Sequence, residues 1–409
     1  MARFQPFAGI RYDQARARLG DVVSPPYDVI DDAERAELAA RSPYNAVRVD
    51  LPVDEDGGDG GDGVGGAGGD DRYTVAHRTF SGWRAGGVLV DDARPSFTVY
   101  RMSYVDDSGV DRRTTGVIGA LELSPPGHDI LPHEHTTPKA KSDRLDLLRA
   151  CRANLSAIWG LSLAKGLTDL LPVDADPVAA LDDGDGVRHT VWVVDDPERC
   201  DAIAAAVSAQ PVVIADGHHR YETSLAYRGE REQADGGAGD AGATMAYLVE
   251  LVDHELTVRA IHRLLAGLPG GFDLVAAVDP WFEALGAPPA GVPVTAAMVD
   301  AGALCAVVPS GGEVLLRPRS EALADARDLD SARLDVALAA LPAHQLSFQH
   351  GPDNVRRAVA RGDAQAGVLL RPATVAQIEA TAHGGDRMPP KTTFFHPKPK
   401  TGLVFRDLG

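Results

Sequence analysis

VVIADGHHRYETSLAY occupies positions 212–227, and its reading decides the fold around it. Val212, Val213 and Ile214 read as the end of a buried strand, and from Tyr221 onward apolar residues recur at helical spacing. Between the two stand a carboxylate, a glycine, two adjacent imidazoles and a guanidinium, Asp216 to Arg220. The spacing predicts a strand-to-helix turn. Gly217 supplies a residue that tolerates φ > 0 or a ligand close to the backbone, and His218, His219 and Arg220 enter the first helical turn. Free amides at such a helix start bind anions, and a guanidinium fork suits phosphate. The plainer reading of the same turn is an Asp cap followed by solvated polar side chains.

Working outward, the strand HTVWVV and the helix PERCDAIAAAVSA precede this turn, and a short Gly/Asp insertion, QADGGAGDAGA, follows it. A Pro/Gly-rich stretch from 264 to 293 sets off a C-terminal region. Upstream, LPHEHTTPKAKSDRLDLLRAC places a polar cluster ahead of a helix marked by Leu145, Leu147, Leu148 and Cys151. The first quarter carries the turn SPPYDVI, a capped helix in DDAERAELAARSP, and a helix then a strand in RYTVAHRTFSGWRAGGVLV. SFTVYRMSYVDDSGVDRRTTGVIGALEL reads as a hairpin. Positions 54–71, DEDGGDGGDGVGGAGGDD, have too little apolar content to offset ordering entropy and read as a disordered insertion. Strands and helices alternate loosely, which predicts an α+β fold of mixed sheets with flanking helices. The expected division is an N-terminal α+β region over 1–125, a core carrying the turn over 126–265, and a C-terminal α/β region over 266–409 that folds back on the core.

At 409 residues the chain exceeds the roughly 250–300 at which single cores stop growing. Its net charge of −19 and pI near 5.0 argue against a general nucleic-acid or anionic-membrane surface, so any phosphate site is a local basic island. No apolar stretch approaches the ~20 residues of a membrane span, and the N-terminus has no apolar signal region. A cytoplasmic protein is expected. Cys151, Cys200 and Cys305 are scattered and suggest neither a disulfide framework nor a zinc site.

Glu134, between His133 and His135, is a candidate general base toward an alcohol. Mg²⁺ held by Asp216 or Glu134 together with substrate phosphates is the favoured metal reading, since adjacent histidines point apart in an extended chain. The proline-rich MPPKTTFFHPKPK offers Lys391 and Lys398 as further anion contacts, and its apolar sequel GLVF predicts a tail packed on the body. SPPYDVI, with Asp28, reads as architectural.

PPYDVI, HEHT…DR, ADGHHRYET, HRLL and MPPKTTFFHPK…GL, in this order, resemble the bacterial family called domain of unknown function 1015, across nearly the whole chain. DGHHRY also looks like the phosphate box of the ParB/sulfiredoxin superfamily, whose members include archaeal kinases of free serine. That resemblance implies a ParB/sulfiredoxin-like core in which Asp216 to Arg220 bind a nucleotide such as ATP or ADP and Glu134, beside His133, is the base. Sulfiredoxin itself needs a cysteine where this chain has His218, and a DNA clamp favours basic surfaces. The implied activity is phosphoryl transfer to the hydroxyl of free serine or a related hydroxy amino acid. A non-catalytic CTP or ATP sensor and a metal-assisted phosphoesterase are the alternatives.

Overall fold

A computed structural model describes residues 3–54, 70–106, 109–132, 141–309, 312–384 and 387–409. The Gly/Asp run expected at 54–71 falls, from 55 to 69, outside the described residues. The rest gathers into two compact units, one of 3–132, 141–257 and 397–409 and one of 258–396. This redraws the expected division into 1–125, 126–265 and 266–409. Strands from the first two of those stretches pair in one sheet, so hydrogen bonding joins what composition had separated.

The first unit is built on a nine-stranded mixed sheet among the described residues. Its order runs Ile130–Pro132, Val212–Asp216, Ile158–Ser162, Ala243–Glu250, Asp111–Glu122, Phe97–Val105, Arg188–Val194, Ala179–Asp182, with Phe4–Gln5 also on Asp111–Glu122. Phe97–Val105 and Asp111–Glu122 form the expected antiparallel hairpin. Val212–Asp216 is parallel to one neighbour and antiparallel to the other. The helices begin where their caps dictate: Asp31, Asp71 and Asp196 accept from the amides of Glu34, Thr74 and Arg199 at 2.8, 2.7 and 2.9 Å.

The two faces of this sheet differ. One buries Phe97, Val99, Val117, Val212, Ile214 and Leu248 against Ile203 and Val207 of the helix Pro197–Ser208 and Tyr221 of the helix His218–Asp235. Each such side chain contributes about 1.5–3 kcal/mol on leaving water. The other face carries a row of aromatics, Trp159, Tyr247 and Tyr100, with ring centroids 5.8 and 5.2 Å apart along the row. A smaller four-stranded sheet joins Leu89–Asp91, Gly9–Tyr12, Phe405–Asp407 and Ala153–Asn154, and so ties the C-terminal segment into this unit.

Among the described residues the second unit holds a seven-stranded sheet, Phe282–Gly286, Glu313–Pro318, Leu304–Val307, Ala366–Leu369, Thr257–Ala266 and Gln345–His350 in order, with Thr393–His396 also on Thr257–Ala266. Alternation along its strands feeds two cores. Leu265, Leu304, Leu316 and Val368 pack with Leu334 and Leu338 on one face, while Leu264, Cys305, Leu315 and Leu369 pack with Val355 and Val359 on the other. Both faces are therefore apolar and helix-covered. No helix among the described residues is long and apolar enough to cross a membrane.

Candidate functional site

The turn that opens the sequence reading folds as expected, with one refinement. Ile214 pairs with Gly160, but the register then slips and Asp216 comes opposite Trp159. In an unbroken strand Asp216 would share the apolar face of Ile214. The irregularity instead re-aims its carboxylate toward the aromatic face. Gly217 follows at φ 84°, ψ 28°, left-handed, as the N-cap of the helix His218–Asp235. A Cβ there would lie 3.0 Å from the Cζ, Nε and Nη2 of Arg220, so a side chain would have to push the guanidinium aside as well as adopt a strained backbone angle. That helix has no side-chain cap and no acidic residue in its first turn, which leaves its positive end unneutralised by its own sequence.

Asp216 is held on both oxygens. Lys398 Nζ lies 2.5 Å from Oδ1 and Arg220 Nη2 donates to Oδ2 at 2.9 Å. Burial works to raise this carboxyl, but the two cations overturn that and hold it below the usual carboxylate range. Arg220 Nη1 donates to the Ala157 carbonyl, and its buried Nε has no hydrogen-bond partner among the described residues. Two cations converge on one carboxylate beside an uncapped helix start, with Asp28 and Asp50 also close to Arg220. The arrangement suits an anion.

Behind Arg220 stands a support that joins three stretches of sequence. The Tyr27 ring lies 4.2 Å from Arg144 Cζ and 5.9 Å from Arg220 Cζ, geometry for cation–π attraction to each guanidinium. Arg144 Nη1 donates to the Asp50 carbonyl at 2.6 Å. The buried Asp50 carboxylate accepts from Ser156 at 3.3 Å and Thr401 at 3.4 Å. Burial lifts its carboxyl above the usual range even with Arg144 and Arg220 close by. A cavity of about 50 Å³ lies among Arg144, Arg220, Asp50, Ser156 and Thr223.

The C-terminal segment fastens this face. Besides Lys398 on Asp216 and Thr401 on Asp50, Lys400 Nζ lies 2.7 Å from Asp183 Oδ2. The same Asp183 oxygen lies 3.0 Å from Nε2 of the fully buried His189, whose Nδ1 is 2.6 Å from the Tyr100 hydroxyl. Tyr100 in turn accepts from the Lys400 amide at 3.3 Å. The set is self-consistent with a neutral imidazole that accepts from Tyr100 and donates to Asp183. Burial pushes that imidazole below its ordinary range.

Asp216, Gly217, Arg220 and Lys398 thus meet as one cluster, with His218 and His219 half-buried in the helical turn just beyond. Lys391 belongs to the second unit, where its carbonyl accepts from Arg263 Nη1 at 2.9 Å. His133 and Glu134 lie outside the described residues. The expected Mg²⁺ does not fit Asp216. Both carboxylate oxygens already bear cations, and a dication at the ~2.0–2.1 Å of a magnesium ligand would have to displace one and stand beside the other. Among the described residues no cluster of three or more His, Cys, Asp or Glu side chains could hold a metal. Sequence reading gave Tyr27 and Arg144 no role at this site and passed over Asp50. The only signal was the presence of aromatic and charged residues in PPYD and SDR, stretches that read as turn and solvated loop.

Among solved structures, the chain resembles a conserved hypothetical protein from Pyrococcus furiosus at 12% identity, covering 68% of this chain and 92% of that one, with a TM-score of 0.35. A free serine kinase in complex with AMP matches at 12% identity over 67% of this chain and 89% of its own, TM-score 0.34. SbnI with a C-terminal truncation, from Staphylococcus aureus, matches at 11% over 70% and 86%, TM-score 0.39. No curated protein matches. The sequence itself matches one family over residues 4–337, and the chain belongs to it: the family described as protein of unknown function DUF1015.

Proposed function

We propose that the protein is a kinase that moves a phosphoryl group from a nucleotide, ATP or ADP, to the hydroxyl of free serine or a related hydroxy amino acid. The observation that carries this reading is Asp216 clamped between Lys398 and Arg220 at the uncapped start of the helix His218–Asp235. Phosphoryl transfer is catalysed largely by positioning and electrostatics, and this cluster supplies both. The amides of His218, His219 and Arg220 and the Lys398 ammonium receive the donor phosphates. Asp216 acts as a spacer that fixes the cations, rather than as a metal ligand. The acceptor hydroxyl oxygen bonds to the terminal phosphorus, the bond from that phosphorus to the nucleotide oxygen breaks, and the hydroxyl proton passes to Glu134.

The test is phosphorus NMR of the protein incubated with serine and each of ATP, ADP and CTP. A phosphomonoester that forms only when the amino acid is present supports the kinase. Bound nucleotide with no transfer to any hydroxy amino acid overturns it in favour of a sensor. Glu134→Gln keeps the size of the side chain but removes its basic oxygen. It is expected to bind nucleotide almost normally and to lose about 10²–10⁴ in kcat, and wild-type turnover in that variant removes Glu134 as the base.

A further inference from the structure

The second unit contains a cavity of about 560 Å³, within the roughly 300–1,000 Å³ of small-molecule pockets. Three guanidiniums from separate elements line it: Arg317 on Glu313–Pro318, Arg333 on the helix Asp330–Leu338, and Arg371 just after Ala366–Leu369. Their protein partners leave donors to spare. Arg371 gives Nε and Nη2 to the Asp330 carboxylate at 3.0 and 2.6 Å, and its backbone amide donates to the same group at 2.9 Å. Nη1 is the guanidinium nitrogen that Asp330 does not take. Arg333 meets Asp328 at 2.9 Å, but that carboxylate is 76% exposed, and such a pair holds its arginine weakly. Arg317 and Glu283 are 3.6 Å apart and half exposed.

The backbone adds to this field. The helix Asp330–Leu338 starts in the cavity wall with Leu329 as its N-cap, a residue with no side-chain oxygen to receive the first amides. Of the two carboxylates near that start, Asp328 pairs with Arg333, and Asp330 is committed to Arg371 and serves to aim it. Val299, Leu329 and Leu370 give the same cavity an apolar side.

We propose that this cavity binds a small organic anion, with its carboxylate or phosphate group on Arg371 and Arg333 and its carbon skeleton against the apolar wall. Arg371, held in a fork by Asp330, has the planar geometry that pairs with either group, and the pocket is too large to be a site for a bare ion alone. The site is independent of the kinase reading and stands or falls without it.

Calorimetry on the full chain at low salt, with citrate and with glycerol 3-phosphate as probes and glycerol as the uncharged control, tests the assignment. Saturable binding of citrate alone identifies a carboxylate site, and of glycerol 3-phosphate alone a phosphate site. Arg333→Gln, which breaks one ion pair whose carboxylate is exposed, is expected to weaken the bound probe about tenfold. The double variant Asp330→Asn, Arg371→Gln, which avoids a lone buried charge, is expected to abolish saturation. Hydrogen exchange on the wild type should show the amides of Ser331 and Ala332 slowed by the probe. Absence of saturation by about 1 mM of either anion, or an affinity unchanged in Arg333→Gln with no slowing at those amides, overturns the proposal.

Discussion

Asp216 in the first unit and Asp330 in the second are both largely buried carboxylates held by arginine, yet the sheets that present them differ. The nine-stranded sheet has one apolar face and one face carrying Trp159, Tyr247 and Tyr100, so a polar cluster can sit directly on a strand end. The seven-stranded sheet packs an apolar core on each face, and the charged groups of its cavity stand at helix starts and strand exits, although Arg263 lies buried within the strand Thr257–Ala266. The charge balance differs as well. Asp216 faces two cations, Lys398 and Arg220, whereas Asp330 is matched one to one by Arg371. The first arrangement holds two cations beside a helix start, and the second aims a single guanidinium.

The largest expected effect follows from that balance. Asp216→Ala removes the carboxylate that pairs with both Lys398 and Arg220, side chains only 13% and 11% exposed. A loss of about 3–5 kcal/mol is expected, the usual result of removing one partner from a buried pair. Asp330→Ala strands Arg371 alone, and with 25% of its side chain exposed that guanidinium can rehydrate, so about 1–3 kcal/mol is expected. Urea unfolding of the two variants measures both. Equal losses, or a larger one in the second unit, would break the comparison.

The same contrast explains what could be read from the chain. Asp216, Gly217, His218, His219 and Arg220 are contiguous, and the change from strand to helix spacing around them fixed their placement. Lys398 could be nominated from a basic, proline-rich tail, although it meets Asp216 across a separation of 182 residues. Asp330 and Arg371 are 41 residues apart in ordinary surroundings, with no turn signal or motif to link them. Tyr27, Asp50 and Arg144 converge only through tertiary packing. Strand pairing between 97–122 and 243–250 was out of reach for a related reason: it depends on register, which composition does not record.

Acid should reach the two units in overlapping but distinguishable ways. His262 is buried in the second unit and its Nδ1 accepts from the Leu370 amide at 3.2 Å, so that nitrogen must be unprotonated in the fold. Burial, with His350 and Arg263 nearby, lowers its pKa from 6.5 to about 4. Between those values the unfolded chain binds a proton that the folded chain does not. The stabilisation is therefore complete above pH 6.5 and is lost progressively down to about pH 4, by roughly 2–4 kcal/mol in all. His189 in the first unit shifts in the same direction. Asp216, held low by its cations, responds in the same direction but in a lower window: its contribution is present above the ordinary carboxylate range and is lost only as the pH falls below it. His262→Gln should flatten the fall in urea stability between pH 7 and pH 5, and an unchanged slope would assign the acid sensitivity to the first unit.

The smallest effect sharpens the comparison most, because it separates backbone strain from crowding. Gly217 and Gly302 both sit in the left-handed region, at φ 84° and 62°, and each lies beside the arginine of its cluster. The distances differ. A Cβ at 217 would be 3.0 Å from the Arg220 guanidinium, while at 302 the nearest atom is Arg371 Nη1 at an ordinary 3.8 Å. Alanine at either position meets the strain of positive φ, about 1–3 kcal/mol. Asparagine tolerates that conformation far better than other residues with a Cβ. Gly302→Asn is therefore expected to fall within about 1 kcal/mol of wild type, with the Asp330–Arg371 fork intact. Gly217→Asn relieves the strain but still carries a Cβ against a guanidinium pinned by Asp216, Ala157 and Tyr27, so it should remain about 1–3 kcal/mol less stable and bind nucleotide more weakly. Thermal melts of the four variants decide the matter: rescue by asparagine at 217 as complete as at 302 would mean that Arg220 yields easily and that the first cluster is no more rigid than the second.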